Sequence, residues 1–435
     1  MMEIARAVYT ALGSVALPLL PLRLWWRGRH EPGYRRHIGE RFVWYRGSVA
    51  GPVYWIHAVS VGETRAATPL VQRLRTAYPG ATLLVTHMTA TGREAGQMLF
   101  GDQVRQAWLP YDAPFAVRRF FAHFRPAAGF ILETELWPNL LAGAQTSGTP
   151  LYLVNARLSE RSARGYRRFG CVARPMLARL SGVAAQSSAD AARLAELGAP
   201  EPMVTGNLKF DVTIPPALLE LGAGLRIRFG ASRPIWLAAS TRDGEEALIL
   251  DALAKHPLPG TLLVLVPRHP QRFATVAEML STRGLPFVRR SGGGEAVPSD
   301  VAVVLGDSMG ELPAYYAAAD VAFVGGSLLP FGAHNLIEPL AVGTPVLVGP
   351  HSFNFAEATA GAIEAGAALR VSDADALIAA VDELFADPGR RQAMGLAARA
   401  FHAQHQGAAD RLWEWLAPRL AASTGEARAN RSARG

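Results

Sequence analysis

The sequence predicts two α/β domains, each a parallel sheet doubly wound with helices, and three observations predict it. Short apolar runs alternate with longer segments of helical period from residue 52 to 155, and again from 234 to 348. The runs are apolar throughout rather than at every second residue, as strands covered by helices on both faces must be. The chain of 435 residues, half of them hydrophobic, is long enough for two ordinary cores.

The first stretch stands apart. Residues 7–22 are uncharged and mostly apolar, and Arg23, Trp25, Trp26, Arg27, Arg29, Arg35 and Arg36 follow. Sixteen residues fall short of the ~20 that span a bilayer comfortably, and Pro18 and Pro21 interrupt the helix. A secretory signal needs its basic residues ahead of the apolar run and a small-residue cleavage site after it, but here most of the arginine follows the run and no such site is visible. The pattern reads as a membrane anchor over residues 1–43, with interfacial Trp and a cytoplasmic Arg cluster suited to anionic lipid. A plain core helix is the alternative.

In the first domain, residues 44–216, strands are expected at 52–58, 81–86, 104–109, 128–133 and 150–155. Helices are expected up to 77 and 100, and at 114–124 and 138–147. In a doubly wound sheet the ligand lies at the carboxyl ends of the strands. Two acidic stretches fall there, Ser60–Glu63 and Glu133–Glu135. Glu63 opens a helix directly after a strand, where the dipole holds a carboxylate as an anion and a general base could work. Helix capping is the competing reading. Residues 58–62 half-match a hydrolase nucleophile elbow but lack its first glycine, and no G-x-G-x-x-G follows the strand. Residues 157–179 hold seven arginines against Glu160 alone, which suits phosphate contacts or a solvated face. Pro215–Pro216 mark the break between domains.

The second domain, residues 217–420, is expected to hold strands at 234–239, 261–267 and 301–305. Arg268 follows the second of these and fits a phosphate. Residues 306–311 open a further helix with free backbone N–H groups. The stretch 319–350 reads as strand, Gly-rich turn, helix 335–342 with Gly343 as C-cap, and strand. Asn335 and Glu338 share one face of the first turn, where a carboxylate can bond the two hydroxyls of a ribose. Glu-Pro-Leu-Ala-x-Gly-x-Pro-Val over 338–346 resembles the nucleotide-sugar half-site of two-domain glycosyltransferases, and epimerases on the same plan carry a similar pattern. A helical region, 374–420, is expected to pack back on both domains, and residues 421–435 to be a disordered tail.

The single cysteine, Cys171, excludes a disulfide framework. No H-E-x-x-H, cysteine cluster or P-loop is present, and Asp373 with Asp375 reads as a helix cap rather than a metal motif, so neither metal nor other cofactor is expected.

Taken together the chain resembles the Kdo transferases of lipopolysaccharide synthesis, which move 3-deoxy-manno-octulosonic acid (Kdo) from CMP to the lipid A precursor. The matching stretches run in order: YRRHIGERF (34–42), HAVSVGET (57–64), LPYD (109–112), ETELWPN (133–139), NARLSERSARGY (155–166), TGNLKFD (205–211), VPRHPQRF (266–273), GDSMGEL (306–312), FVGGSL (323–328), HNLIE (334–338) and GPHSFNF (349–355). The resemblance implies the GT-B plan, two Rossmann-like domains facing a cleft, with an N-terminal anchor on the cytoplasmic face of a bacterial inner membrane. It implies an inverting, metal-independent transfer from CMP-Kdo to membrane-bound lipid IVA. The general base falls on Glu63, transition-state support on Glu133 and Lys209, and CMP contacts on Pro267, Arg268, Met309, Gly310, Glu311, Asn335, Leu336, Ile337 and Glu338. Ala333 and Leu336 stand where the family often has Gly and Pro. A nucleotide-sugar epimerase of the same fold is the runner-up. A basic nucleic-acid binder is the outside class, and no nucleic-acid module supports it.

Overall fold

A computed structural model describes residues 2–432 except His30, Val212 and Glu295, with side chains from residue 6 to 422 apart from that of Ala16. The chain divides into two compact units, residues 1–212 with 406–435, and residues 213–405.

The first unit is built on seven parallel strands: β1 (Val53–His57), β2 (Thr82–His87), β3 (Arg105–Trp108), β4 (Pro126–Leu132), β5 (Leu151–Ala156), β6 (Gly182–Ala185) and β7 (Met203–Val204). They lie in the order β3-β2-β1-β4-β5-β6-β7. The chain winds outward from β1 to β3, then returns to add β4 on the other side of β1. That reversal makes the carboxyl ends of β1 and β4 the place where flanking loops diverge and leave a crevice. The two strands pair directly, with His57 beside Ile131, so the loops after them are neighbours.

Side chains of β1 alternate between two cores. Trp55 packs with Phe120, Phe121 and Leu140 on one face of the sheet. Tyr54 and Ile56 pack with Leu70, Leu74, Leu412 and Leu416 on the other. Each such fully buried large side chain contributes about 2 kcal/mol of transfer free energy. The helix Ala408–Ser432 therefore closes the core of the first unit, not that of the second. Trp415 sits so close over Gly182 that a Cβ there would lie 2.7 Å from its ring. The helical region expected at 374–420 is thus shared between the two units: helices Ala374–Ala386 and Pro388–His405 fall in the second and the last helix in the first. The last helix continues through Ser432, into the residues expected to form the tail. Residues 433–435 lie outside the described residues.

The basic stretch 157–179 forms two helices, Glu160–Arg168 and Gly170–Leu177. Arg167 spends its charge on Glu160 and Glu196, at 2.9 and 2.8 Å.

The second unit has strands β8 (Ile235–Thr241), β9 (Leu262–Pro267), β10 (Phe287–Arg289), β11 (Val303–Leu305), β12 (Val321–Val324), β13 (Val346–Val348) and β14 (Ala368–Arg370). All are parallel, in the order β10-β11-β9-β8-β12-β13-β14. The reversal here falls between β8 and β12, so the loops after β11, β9, β8 and β12 end side by side. Sequence reasoning missed β6, β7, β10 and β14, which are short or at sheet edges and carry too few apolar residues to show a period. The helix expected from 335 begins at Ile337, and the one expected from 306–311 is Leu312–Ala318.

At the N-terminus a helix, Met2–Ala16, leads through a 3-10 turn at Leu17–Leu19 into a second helix, Leu20–Arg27. Residues Arg6–Arg27 are long and apolar enough to cross a membrane by length and composition. Only a thin strip of the segment is covered by the first unit, so the core-helix alternative does not describe it.

Candidate active site

In the first unit the sequence Ala58-Val59-Ser60 leaves β1 and turns at once into the short helix Val61–Ala66, with Ser60 as its N-cap. Glu63, in the first turn, is thereby brought back over the loop. Its Oε2 accepts from the Val59 N–H at 2.7 Å, and its Oε1 from the Ser60 hydroxyl at 2.9 Å. The residue is only 8 % exposed. Burial, followed by the charge of Glu133, pushes its carboxyl up to about 7, against the pull of those two hydrogen bonds. A carboxyl group poised near neutrality is matched to taking a proton at neutral pH.

Glu133 follows β4 with a left-handed backbone, φ +57°, a conformation that costs a non-glycine residue of order 1 kcal/mol and throws its side chain out of the strand line. Its Oε1 accepts from the Lys209 ammonium at 2.7 Å. Lys209 sits on the 3-10 turn Leu208–Asp211, which is fixed from the neighbouring strand: the Asn155 side chain, at the end of β5, accepts from the Leu208 N–H at 3.0 Å. The strand order thus brings Glu63, Glu133 and Lys209 together, although 146 residues separate the first from the last in the chain. Glu135, the second acid of that stretch, accepts from the Trp137 indole at 3.0 Å.

The loop under Glu63 is braced by groups that sequence reasoning did not single out. The Thr89 hydroxyl donates to the Val59 carbonyl at 2.7 Å, and a Cβ on Gly92 would lie 2.8 Å from that same oxygen. His87 holds the Ala58 carbonyl at 2.9 Å, and His57 bonds Thr86. Burial drives both rings down, His57 to about 3 and His87 to about 4, so both are neutral at physiological pH. Their only signal in the sequence is polarity at strand ends.

In the second unit Arg268 follows β9, and its N–H bonds the Thr241 carbonyl at the end of β8. The turn after β8 adds Arg242, whose guanidinium contacts His269 Nε2 at 2.8 Å and stacks over Phe331 at 4.6 Å. His334 joins them. Burial above all, then the charges of Arg268 and Arg242, push its ring down to about 3, so the imidazole is neutral. Sequence reasoning passed over Arg242 because it stands in a turn with no motif of its own.

The Gly-rich loop after β12 is fixed by one buried carboxylate. Glu245 accepts from the N–H groups of Arg242, Gly326, Ser327 and Leu328, at 2.8, 2.6, 3.0 and 2.9 Å. Ala333, within this loop, has φ +64°, which is why glycine suits that place better. Asn335 accepts from the Ile337 N–H and donates to Glu338 at 3.2 Å. The side chains of Leu336 and Ile337 are buried. Met309 is exposed, Gly310 has φ +81°, and Glu311 holds Ser308 and Arg290. Glu311 and Arg268 stand after the adjacent strands β11 and β9, and Arg268 and Glu338 both act electrostatically on Tyr316.

Among the described residues no three His, Cys, Asp or Glu side chains converge as metal ligands. Asp373 caps the helix Ala374–Ala386 by accepting from the Ala376 N–H at 2.8 Å.

Comparison with known proteins adds independent findings. Residues 36–212 match the family model described as 3-deoxy-D-manno-octulosonic-acid transferase, and residues 296–401 match glycosyl transferases group 1. A 3-deoxy-D-manno-octulosonic acid transferase of Bordetella pertussis is 46 % identical over 94 % of this chain and 99 % of its own. One from Haemophilus influenzae is 40 % identical over 95 % and 99 %. Among solved structures, UDP-GlcNAc 2-epimerase from Neisseria meningitidis superposes with a TM-score of 0.56 over 85 % of this chain and all of its own, at 15 % identity, a likeness of fold alone. That fold is GT-B.

Proposed function

This chain belongs to the 3-deoxy-D-manno-octulosonic-acid (Kdo) transferase family, and from that premise we propose that it transfers Kdo from CMP-Kdo to lipid IVA, with Glu63 as general base. The single observation that carries the base assignment is the Glu63 carboxyl itself: buried, oriented by two donors and pushed up to about 7. An acceptor hydroxyl loses its proton to Glu63 as its oxygen bonds the anomeric carbon of Kdo. The bond from that carbon to the CMP phosphate breaks, and CMP leaves with the electron pair. Attack opposite to the leaving group inverts the anomeric centre.

Lys209 supports the transition state as a point cation, with Glu133 fixing its position at 2.7 Å. The donor is assigned to the second unit. Arg268 faces the phosphate, Glu338 the ribose hydroxyls, and the backbones of Pro267, Met309, Gly310, Glu311, Asn335, Leu336 and Ile337 the rest of CMP. The N-terminal apolar segment anchors the enzyme on the cytoplasmic face of the inner membrane, where its lipid acceptor resides, and the arginines that follow it meet anionic lipid. An epimerase reading has only the shared fold behind it, against 46 % identity to a named transferase.

The test is incubation of purified protein with CMP-Kdo and lipid IVA, followed by mass spectrometry of the lipid. Gain of one or more Kdo units is expected, and Glu63→Ala should abolish it while CMP still binds. Turnover retained by Glu63→Ala removes Glu63 as base, and an unchanged lipid with the unaltered enzyme removes the acceptor.

A further inference from the structure

The N-terminal segment has a sidedness that its composition hides. Among the described side chains from Arg6 to Arg27 the covered positions are Arg6, Thr10, Leu17, Leu20 and Leu24, which at 3.6 residues per turn form one narrow strip. That strip is held along its length by the first unit. Thr10 exchanges hydrogen bonds with the Asn139 amide at 3.1–3.2 Å. Leu17 packs against Val43, Ala113 and Ala116, and Leu24 against Tyr34, Ala90 and Trp108. Thr10 to Leu24 is fourteen residues, so the docked length is about 21 Å at 1.5 Å per residue.

The opposite side is bare and apolar. Val8, Leu12, Val15, Leu19, Leu22 and Trp26, spaced three and four apart, are 54–77 % exposed. At the end of the segment, Arg23, Arg27, Arg29, Arg35 and Arg36 are exposed, with Glu31 as the one acid among them. Arg29 stacks on Trp25 at 4.1 Å.

We propose that this segment lies flat in the membrane interface, its strip on the first unit and its apolar side in an anionic phospholipid leaflet, and does not cross the bilayer. A spanning orientation would carry whatever is docked along those 21 Å into hydrocarbon. That includes the buried Asn139 and the half-buried Asp112 carboxylate, which caps the helix Pro138–Ser147 through the N–H groups of Asn139 and Leu140. Freeing the helix instead would strip Leu24 and Thr10 of their partners and reopen the cores around Trp108 and Ala113. Lying flat satisfies both sides at once, as an interfacial amphipathic helix does, and the arginines complement anionic headgroups. Pro18 and Pro21 and the 3-10 turn between the helices are tolerable in a segment that follows a protein surface. This inference refines the membrane placement proposed above, and its failure leaves the transferase reading untouched.

The topology is read with Ala7→Cys in a Cys171→Ser background, using a membrane-impermeant maleimide on spheroplasts and on inverted vesicles of the expressing cell. A flat helix labels from the cytoplasmic side only. Labelling of position 7 in intact spheroplasts means the segment crosses the membrane and overturns the proposal. The lipid side is read with Leu12→Asp combined with Val15→Asp in flotation with phosphatidylethanolamine vesicles, with and without phosphatidylglycerol. Binding should require phosphatidylglycerol and fall about ten-fold or more in the double variant, at unchanged melting temperature. If flotation is unaffected and the double variant instead splits a lipid-free dimer, the surface is one of self-association and the lipid assignment falls.

Discussion

Replacing Glu63 by glutamine should make the protein more stable, and increasingly so as the pH rises. The carboxyl has an ordinary value of 4.5 and is pushed up to about 7 in the fold, chiefly by burial and then by Glu133. A shift of that size corresponds to roughly 3 kcal/mol at about 1.4 kcal/mol per unit. The sign follows from linkage. The folded state binds this proton more tightly than the unfolded chain, so the penalty is absent below pH 4.5, grows between 4.5 and 7, and is full above 7. Glutamine carries no charge and escapes it, but its NH2 faces one of the two donors now served by the carboxylate, at a cost of about 1 kcal/mol. The net gain is about 2 kcal/mol above pH 7.5 and nothing, or a small loss, at pH 5. Thermal unfolding of both proteins at pH 5, 6.5 and 8.5 would show it, as a melting difference that widens with pH by roughly 4–8 °C. A difference independent of pH would mean that Glu63 is not held against ionisation, and the argument for it as a base poised near neutrality would fail. Activity should vanish in the same variant, so stability and turnover move in opposite directions.

Further expectations come from the neighbours of Glu63 and from the second unit. Glu133→Gln removes the charge that, after burial, most raises the Glu63 carboxyl, so the acidic limb of residual transfer should move to lower pH, and a limb that stays in place would refute the coupling. Lys209→Met should lower kcat by about 10²–10³ with little change in CMP affinity, read by steady-state kinetics and by calorimetric titration with CMP. Ala333→Gly relieves a φ of +64° and should stabilise the second unit by up to about 1 kcal/mol in urea unfolding. Glu245→Ala would leave four backbone N–H groups without their shared acceptor, and a loss of at least about 3 kcal/mol is expected in the same measurement.

Much of this protein is legible in one dimension because its strands and helices announce themselves through period. The long alternations gave β1 to β5, β8, β9, β11, β12 and β13 within a few residues, since strands covered on both faces must be apolar throughout. Glu63 and Glu133 could be picked out because an acid directly after such a strand is rarely needed by the core. Lys209 could not be reached this way. It lies on a turn with no period, and its pairing with Glu133 depends on Asn155 seizing the Leu208 N–H from the neighbouring strand.

The sequence alone determined which residues stand at strand ends, because local pattern and steric preference fix where a strand stops and a helix begins. Tertiary structure decided which of those ends are neighbours. Placing β4 beside β1, not beside β3, is what lets the charge of Glu133 bear on Glu63, and that is a property of the winding of the sheet, which no local run of residues records. It also decided the destination of the two termini. Apolarity said only that residues 7–22 and 408–420 needed cover. Shape and register gave the last helix the first unit's core, through Leu412, Trp415 and Leu416, and gave the N-terminal segment a single strip of contacts with its opposite side left bare. Burial free energy depends on area and not on direction, so the sequence can demand a partner, and only the packed chain can say which one it finds.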